Sequence, residues 1–583
     1  MNKSEALSIY FASFSGTAES FALSLQQECE EKGLASTVQN ISEFTPDSLV
    51  VQDNFVFIVA THYEGNHPDS ADRFVEWMNN KGENHSILKG KKATIFGLGD
   101  RSYDQFNQFG KDVLKFIEEK GIDIFFPPGW GNDEDGEIET DFTKWRKDFI
   151  EFVKINGPKS KEPQGLQVLG DKFVITKGVE EPLKAGVEGL TPALKFAKFL
   201  EAKTAKLIRV KETLPNSTPL MSTLEATLTI PEGVEYSCGD NIGIFLPNPP
   251  GSVFRVLRHY GLSGKELVYF STESSKLRTT FNNGSTIKQV LEWGVDLHGP
   301  LKPSQLSLIE SADPSFDKSG FKSKLPPYFS IVDLLESGAI NVSVSKLIEI
   351  TSSNNMRYFS IASSPRVSPR SIRLVIKVDS KDQANRIWRG LASEFFSRYK
   401  GEPKPVELKY FLEKSPFKLP EKGKPCIMIA IGSGIAPFLG LIQEKKGILS
   451  KKGEKHMELD DVIEIGSLWV VLGVRHPDED LPYGNELEAA KKDGVIQKLD
   501  IAFSKKDKKH VQDVLTEKGD DIVKLLVEEK GSLMICGSLA MAQGVLSTIE
   551  GCLKLGLKID DVAAEDIMRQ LKSEKRIVFE AWG

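Results

Sequence analysis

Two blocks in which short apolar runs alternate with amphipathic segments, separated by a long β-rich stretch, constrain this chain more than any other feature. In the first block Ala6–Ala12, Asn54–Ala60 and Ala93–Gly97 read as strands, and Glu19–Lys32 and Gln108–Lys120 as helices. That rhythm implies βαβ units and a parallel sheet. From Lys424 onward it returns, with strands at Cys426–Ile431, Leu468–Leu472 and Leu533–Ile535. Between the blocks, from about residue 203, β-rich runs such as Leu224–Ile230 and Asn241–Phe245 predict antiparallel sheet, and helical patterns at roughly 250–345 read as an insertion. The chain's 583 residues exceed the roughly 250–300 at which a single core stops growing. The expected division is 1–155, a linker region 156–202 that opens on the Gly-, Pro- and Lys-rich stretch 156–170, then 203–415 with its insertion, and 416–583.

Charge is unevenly spread. Residues 1–150 hold 14 Lys and Arg against 26 Asp and Glu, a net −12 within a total of −7, so the rest carries +5. Such a balance excludes nucleic-acid binding by charge and gives the N-terminal part the means to steer a basic partner. Five scattered cysteines (Cys29, Cys238, Cys426, Cys536 and Cys552) without a C-x-x-C pair fit a reducing compartment, the cytoplasm, better than a disulfide framework or a metal site. The longest apolar stretch, Cys426 to Ile442, contains Gly432, Ser433, Gly434 and Pro437, so it reads as strand, loop and helix. Nor does the N-terminal run show a signal peptide, and the expectation is a soluble protein without a membrane anchor.

Three loops end strands of the first block on one sheet edge, where open α/β sheets bind ligands. The first is Ser13-Phe14-Ser15-Gly16-Thr17-Ala18, leading into a helix. Hydroxyls and unpaired backbone N–H groups at a helix start make an anion cradle. With no lysine in the loop, a phosphate monoester held by neutral donors suits it better than a triphosphate. The second runs from Thr61 through His62, Tyr63 and Gly65 to Ala71, and the third from Gly97 through Leu98, Gly99, Tyr103 and Phe106 to Asn107. Loop aromatics can sandwich a flat ring at little entropy cost. An acidic turn follows at Asn132-Asp133-Glu134-Asp135.

Later segments carry a second set of signals. Arg357-Tyr358-Phe359-Ser360 precedes the strand Ile372–Val378, and a guanidinium there can meet a pyrophosphate bidentately. Gly390-Leu391-Ala392-Ser393 opens a helical pattern whose backbone N–H groups can take a second phosphate. Gly432-Ser433-Gly434-Ile435-Ala436-Pro437 follows a strand and suits close approach of a dinucleotide. Between Ser504 and Gln512 stand Lys505, Lys506, Lys508, Lys509 and His510, a cation cluster of the kind a 2′-phosphate needs.

Together these motifs resemble the cytochrome P-450 reductase family of NADPH-dependent diflavin reductases, over nearly the whole chain. The resemblance implies an α/β multidomain fold: a flavodoxin-like FMN domain, an antiparallel β-barrel FAD domain with a helical insertion, and a doubly wound NADP-binding domain. It implies that Ser13 to Ala18 hold the FMN phosphate and that Tyr103 and Tyr63, or less readily His62, stack on the ring. Thr61, Gly65, Leu98, Gly99, Phe106, Asn107 and Asp133 would line the same site. Arg357, Tyr358, Phe359, Val375 and Gly390 to Ser393 would hold FAD, and Gly432, Ser433, Gly434 and Pro437 NADPH. Arg475, Ser504, Lys505, Lys508, His510 and Gln512 would read the 2′-phosphate. Ser360, Cys536 and Glu580 would surround the hydride path, covered by Trp582. The chain departs from the family pattern in lacking a glycine after the inner stacking residue, and in Phe359 for Tyr, Lys505 for Arg and His510 for Tyr.

The implied activity moves electrons from NADPH through FAD to FMN and on to a haem or iron–sulfur protein docked on the acidic FMN domain. Haem monooxygenases, sulfite reductase haem subunits, methionine synthase and iron–sulfur assembly proteins all remain open as acceptors. A sulfite reductase flavoprotein-type subunit, or a binding protein with a degenerate FMN site, is the alternative.

Overall fold

The structure, a computed structural model, describes residues 4–13, 17–46, 52–61, 65–80, 85–101, 105–133, 138–156, 173–176, 202–214, 216, 218, 220–270, 284–317, 320, 328–383, 386–420, 423–451, 466–477 and 480–582. In chain order the first block comprises β1 (Ser4–Ala12), α1 (Thr17–Glu31), β2 (Ser36–Asn40), β3 (Gln52–Ala60), α2 (Asp72–Asn79), β4 (Lys92–Gly99), α3 (Gln108–Glu119), β5 (Asp123–Ile124), β6 (Gly129–Asn132) and α4 (Ile138–Asn156). The middle comprises β7 (Phe173–Thr176), β8 (Lys203–Glu212), β9 (Thr223–Thr229), β10 (Asn241–Ile244), α5 (Pro250–His259), β11 (Leu267–Phe270), β12 (Ser285–Thr286), α6 (Pro303–Ala312), α7 (Ile331–Glu336), α8 (Val344–Ile350), β13 (Arg357–Ser360), β14 (Ser371–Lys377), β15 (Ser380–Gln383), β16 (Arg386–Arg389), α9 (Leu391–Arg398) and β17 (Val406–Glu413). The last block comprises β18 (Cys426–Ile431), α10 (Ala436–Lys451), β19 (Leu468–Val474), α11 (Gly484–Lys492), β20 (Lys498–Phe503), α12 (Val511–Glu517), α13 (Gly519–Val523), β21 (Ser532–Ser538), α14 (Leu539–Leu557), α15 (Asp561–Ser573) and β22 (Ile577–Trp582).

The chain divides into two compact units, residues 1–200 with 247–355, and 201–246 with 356–583. In the first, β2-β1-β3-β4-β5 form a parallel sheet, with β6 also pairing β4. That is the flavodoxin-like order, in which the chain reverses direction across the sheet between β1 and β3. Both faces are covered, so the strands are apolar throughout. Leu7, Ile9 and Phe11 of β1 pack with Phe21, Phe142 and Trp145 on one side, while Tyr10 and Ala12 pack with Phe57, Phe74 and Phe109 on the other. The insertion contributes the helices α5 to α8 to this unit. A small sheet β12-β11-β7 also belongs to it, so the stretch expected as linker contains a strand, β7, paired antiparallel to β11.

In the second unit, β13-β10-β17-β8-β9-β14 make an antiparallel sheet whose ends meet through the bridge Ile361–Leu374, closing a barrel. Alternate residues such as Leu224, Ala226 and Leu228 of β9 and Ile372, Leu374 and Ile376 of β14 fill its interior. The last block forms the parallel sheet β20-β19-β18-β21-β22, doubly wound about β18. Cys426, Met428 and Ala430 of β18 face one helix layer, and Ile427 and Ile429 the other. Phe417 and Ala362 from the barrel side join the first of these cores.

Candidate functional site

At the carboxyl edge of the flavodoxin-like sheet, β1 ends at Ala12 and α1 starts at Thr17. Ser13 stands between them with its Oγ buried and without a hydrogen-bond partner. Ala18 is fully buried and packs in the core, so only its backbone faces the loop. Thr61, just past β3, donates its N–H to the Leu98 carbonyl at 2.8 Å, and its Oγ1 is also buried and unpartnered. The Leu98 side chain is spent on the core.

Asn107 caps α3 in the left-handed region, φ 55°, and is 0% exposed. Its Nδ2 donates to the Gly131 carbonyl at 3.1 Å, which ties the third loop to the acidic turn, while its Oδ1 has no partner. A Cβ on Gly97 would meet that Oδ1 at 2.7 Å, and one on Gly99 would meet the Asn107 nitrogen at 2.7 Å. Both glycines are needed for this close approach. Gly65 has φ +84°, and a Cβ there would meet Gln105 at 2.8 Å, so the second and third loops touch. Asp133 donates its N–H to Gly99, and burial, followed by Asp100, raises its carboxyl pKa. Phe106 is flanked by Arg101 at 5.3 Å and Lys111 at 5.5 Å from its ring centre, so its faces are taken by cations. Phe14, Ser15, Gly16, His62, Tyr63 and Tyr103 lie outside the described residues.

In the second unit, β13 carries the Arg357-Tyr358-Phe359-Ser360 motif along the barrel. Gly243 opposes Tyr358, and a Cβ there would meet the Tyr358 ring at 2.8 Å. Phe359 is half-buried and stands edge-on to Phe396 at 5.8 Å and 90°. Gly390 precedes α9 in extended conformation without a side-chain cap, and the Ser393 hydroxyl accepts from the Asp379 N–H at 2.8 Å. The side chains of Leu391 and Val375 are buried in cores, Leu391 in the barrel and Val375 with Phe417 and Phe438, which leaves the Leu391 backbone to face a ligand. The alternation of β14 turns Val375 away from the barrel interior, toward the parallel sheet.

Ser360 is 5% exposed with an unpartnered Oγ, and Asn241 stands opposite it in the β10–β13 register. Asn241 donates from Nδ2 to Glu580 Oε1 at 3.1 Å, and Ser415 donates from Oγ to the same oxygen at 2.6 Å. Glu580 in turn pairs with Cys536 in the β21–β22 register. Ser360, Asn241, Glu580, Ser415 and Cys536 are thus gathered where the barrel meets the parallel sheet. Asn241 and Ser415 carried no motif signal. Burial, with Glu580 nearby, pushes the Cys536 thiol well above its ordinary pKa, so it stays protonated.

The Gly432 loop follows β18 at the point where the strand order reverses. Gly432 has φ +52°, and a Cβ on Gly434 would meet the Cys536 carbonyl at 2.3 Å, so only glycine lets the two strand ends close. Pro437 is the second residue of α10. At the ends of β19 and β20, Ser504 donates to the Val474 carbonyl and the Lys505 N–H to the Arg475 carbonyl at 3.0 Å. Lys505 and Lys508 are exposed and, among the described residues, form no ion pair. The other expected ligands have contacts of their own, that of His510 through its backbone. Arg475 donates to Asp480 at 2.8 Å, the His510 N–H to Asp513 at 2.7 Å, and Gln512 lies against Gly544 of α14. Nothing is described of the Trp582 side chain.

An unpartnered buried polar group costs about 1–3 kcal/mol. Ser13, Thr61 and Asn107 at one edge, and Ser360 and Asn241 at the other, therefore fit sites completed by polar ligands. Their hydroxyl and amide groups suit the polar atoms of phosphate- and ring-bearing cofactors. A flavodoxin-like sheet, an antiparallel barrel and a doubly wound sheet with these loops define a flavin- and nicotinamide-dependent oxidoreductase. Residues 9–145 match the Flavodoxin family and residues 428–547 the Oxidoreductase NAD-binding domain family. The chain is 28% identical to the NADPH–cytochrome P450 reductase of Dictyostelium discoideum, over 99% of this chain and 90% of that protein. It is 27% identical to that of Rattus norvegicus and 26% to that of Homo sapiens, each over 98% of this chain and 88% of the relative. The two domain matches and the likeness to these reductases over nearly the full chain support a diflavin reductase of the cytochrome P-450 reductase family. Its cofactors are FMN, FAD and NADPH, and it moves electrons from NADPH to FAD to FMN.

Proposed function

We propose that this reductase delivers its electrons to a haem protein docked against the acidic flavodoxin-like domain. The observation that carries the reading is the net −12 of residues 1–150, next to relatives named for a haem-protein acceptor. No described helix is long and apolar enough to cross a membrane.

When bound, NADPH supplies a hydride and the two flavins divide it into single electrons. The residues bind and orient. Ser13, Thr17, Thr61 and Asn107 offer hydroxyl and amide groups to FMN. Arg357, Phe359 and the start of α9 hold FAD, and Lys505 and Lys508 bind the 2′-phosphate. Ser415 and Asn241 fix one oxygen of Glu580, which keeps that carboxylate in one orientation beside Ser360 and Cys536. Because the Cys536 thiol stays protonated, it offers a weak donor and no thiolate that would attack the ring.

Reduction of a basic haem protein, cytochrome c, followed across ionic strength tests the reading. The rate should fall steeply between about 0.01 and 0.15 M salt, as the screening length shrinks from about 30 to 8 Å. A rate indifferent to salt would remove the acidic domain from partner choice.

A further inference from the structure

We propose that Lys302, a residue of the helical insertion and not of the flavodoxin-like domain, supplies the cation that binds the FMN phosphate. The inference rests on the assignment of FMN to the flavodoxin-like sheet edge. The loop from Ser13 to Ala18 contains no lysine or arginine. A phosphate monoester carries up to two negative charges, and the loop's own side chains offer it only neutral donors.

The structure brings one cation to that loop from far along the chain. Lys302, immediately before α6, donates from Nζ to Thr17 Oγ1 at 3.2 Å. Thr17 is the first residue of α1, where the unpaired N–H groups point. The neighbouring turn is clamped by the same insertion: Ser353 donates to Glu19 from Oγ at 2.8 Å and from its backbone nitrogen at 3.3 Å. Glu19 is 3% exposed, so this contact is desolvated. The ammonium is therefore held at the first residue of α1, on the loop whose other described end carries the buried, unpartnered Ser13 Oγ.

Lys302 also lies near carboxylates. Burial lowers its pKa even though Glu19, Asp296, Glu139 and Asp133 all act to raise it.

The arrangement has a thermodynamic consequence. The cation belongs to the insertion, so FMN binding and the packing of the insertion on α1 strengthen each other by the same factor. Loosening the Ser353–Glu19 contact should then weaken FMN as well.

The test uses the full chain, stripped of FMN with FAD retained, and titrated by fluorescence with FMN and with riboflavin, which lacks the phosphate. Lys302→Met should weaken FMN at least ~10-fold, the loss of one charge-assisted contact, and riboflavin less than ~3-fold. Lys302→Arg should recover most of the FMN affinity, and Ser353→Ala should weaken FMN in the same direction by a smaller factor. Retained FAD reports that each variant is folded. Equal losses for FMN and riboflavin, or no loss for either, would overturn the proposal and leave Lys302 a packing residue. A wild-type chain that does not distinguish FMN from riboflavin would instead sink the FMN assignment on which it rests.

Discussion

Replacing Lys505 and Lys508 together by alanine should convert the enzyme's coenzyme preference without harming its fold. Both side chains are exposed and without an ion pair among the described residues, so nothing inside the protein competes for their charge. Lys509, in the same turn, is held by Glu517 at 2.6 Å, and Arg475 by Asp480. A charge-assisted hydrogen bond to phosphate is worth about 1.5–3 kcal/mol, and exposure puts these two at the lower end. Two such contacts give about 3 kcal/mol, or ~100-fold in kcat/KM for NADPH at 1.4 kcal/mol per factor of ten. NADH lacks the 2′-phosphate, so its kcat/KM should change less than ~3-fold by the same reasoning. Lys509→Ala is the internal control and should cost NADPH less than ~3-fold, because that ammonium is already committed to a surface pair. Steady-state kinetics with both coenzymes decides the matter. An equal fall for NADPH and NADH would mean that the turn after β20 supports the sheet and does not read the phosphate.

Ser415→Ala removes the 2.6 Å hydrogen bond to Glu580 in a buried site, and should slow flavin reduction by NADPH in stopped flow at least ~10-fold with KM within ~3-fold; a change confined to KM would refute an orienting role. Gly434→Ala would set a Cβ 2.3 Å from the Cys536 carbonyl, so it should destabilise the parallel sheet by about 1–3 kcal/mol in denaturant and weaken NADPH binding. An unchanged midpoint would show that the two strand ends can separate. The folded Cys536 pKa is raised above its unfolded value of about 8.5, so the thiol's contribution to stability is complete below that pH and lost as pH rises through the folded value. Cys536→Ser should flatten the fall in stability between about pH 8.5 and 10, where wild type declines.

What the sequence reveals is set by whether a signal is local. The strands Cys426–Ile431 and Leu468–Val474 are buried on both faces and read as apolar runs, and each stands where its run predicts. The loops after β1, β3 and β4 are legible because glycines, hydroxyls and helix starts sit next to one another in the chain. Positions that depend on distant partners are not. Asn241 and Ser415 are ordinary polar residues until the barrel closes and brings them to Glu580, more than 160 positions later. Lys302 reads as one lysine before a proline, and only the packing of the insertion carries it to Thr17. The strand Phe173–Thr176 is four residues in a stretch rich in turn formers, and its partner Leu267–Phe270 is some 90 residues away. That the side chains of Val375 and Leu391 enter cores is likewise set by strand and helix geometry, which no local motif displays.

Flavin analysis of the purified full chain, followed by anaerobic titration with NADPH, tests the central claim most directly. The account predicts one FMN and one FAD per chain, both bleached by NADPH, with FMN reduction abolished when FAD is removed. A chain that carries FAD alone, or whose FMN is reduced by NADPH without FAD, would contradict it.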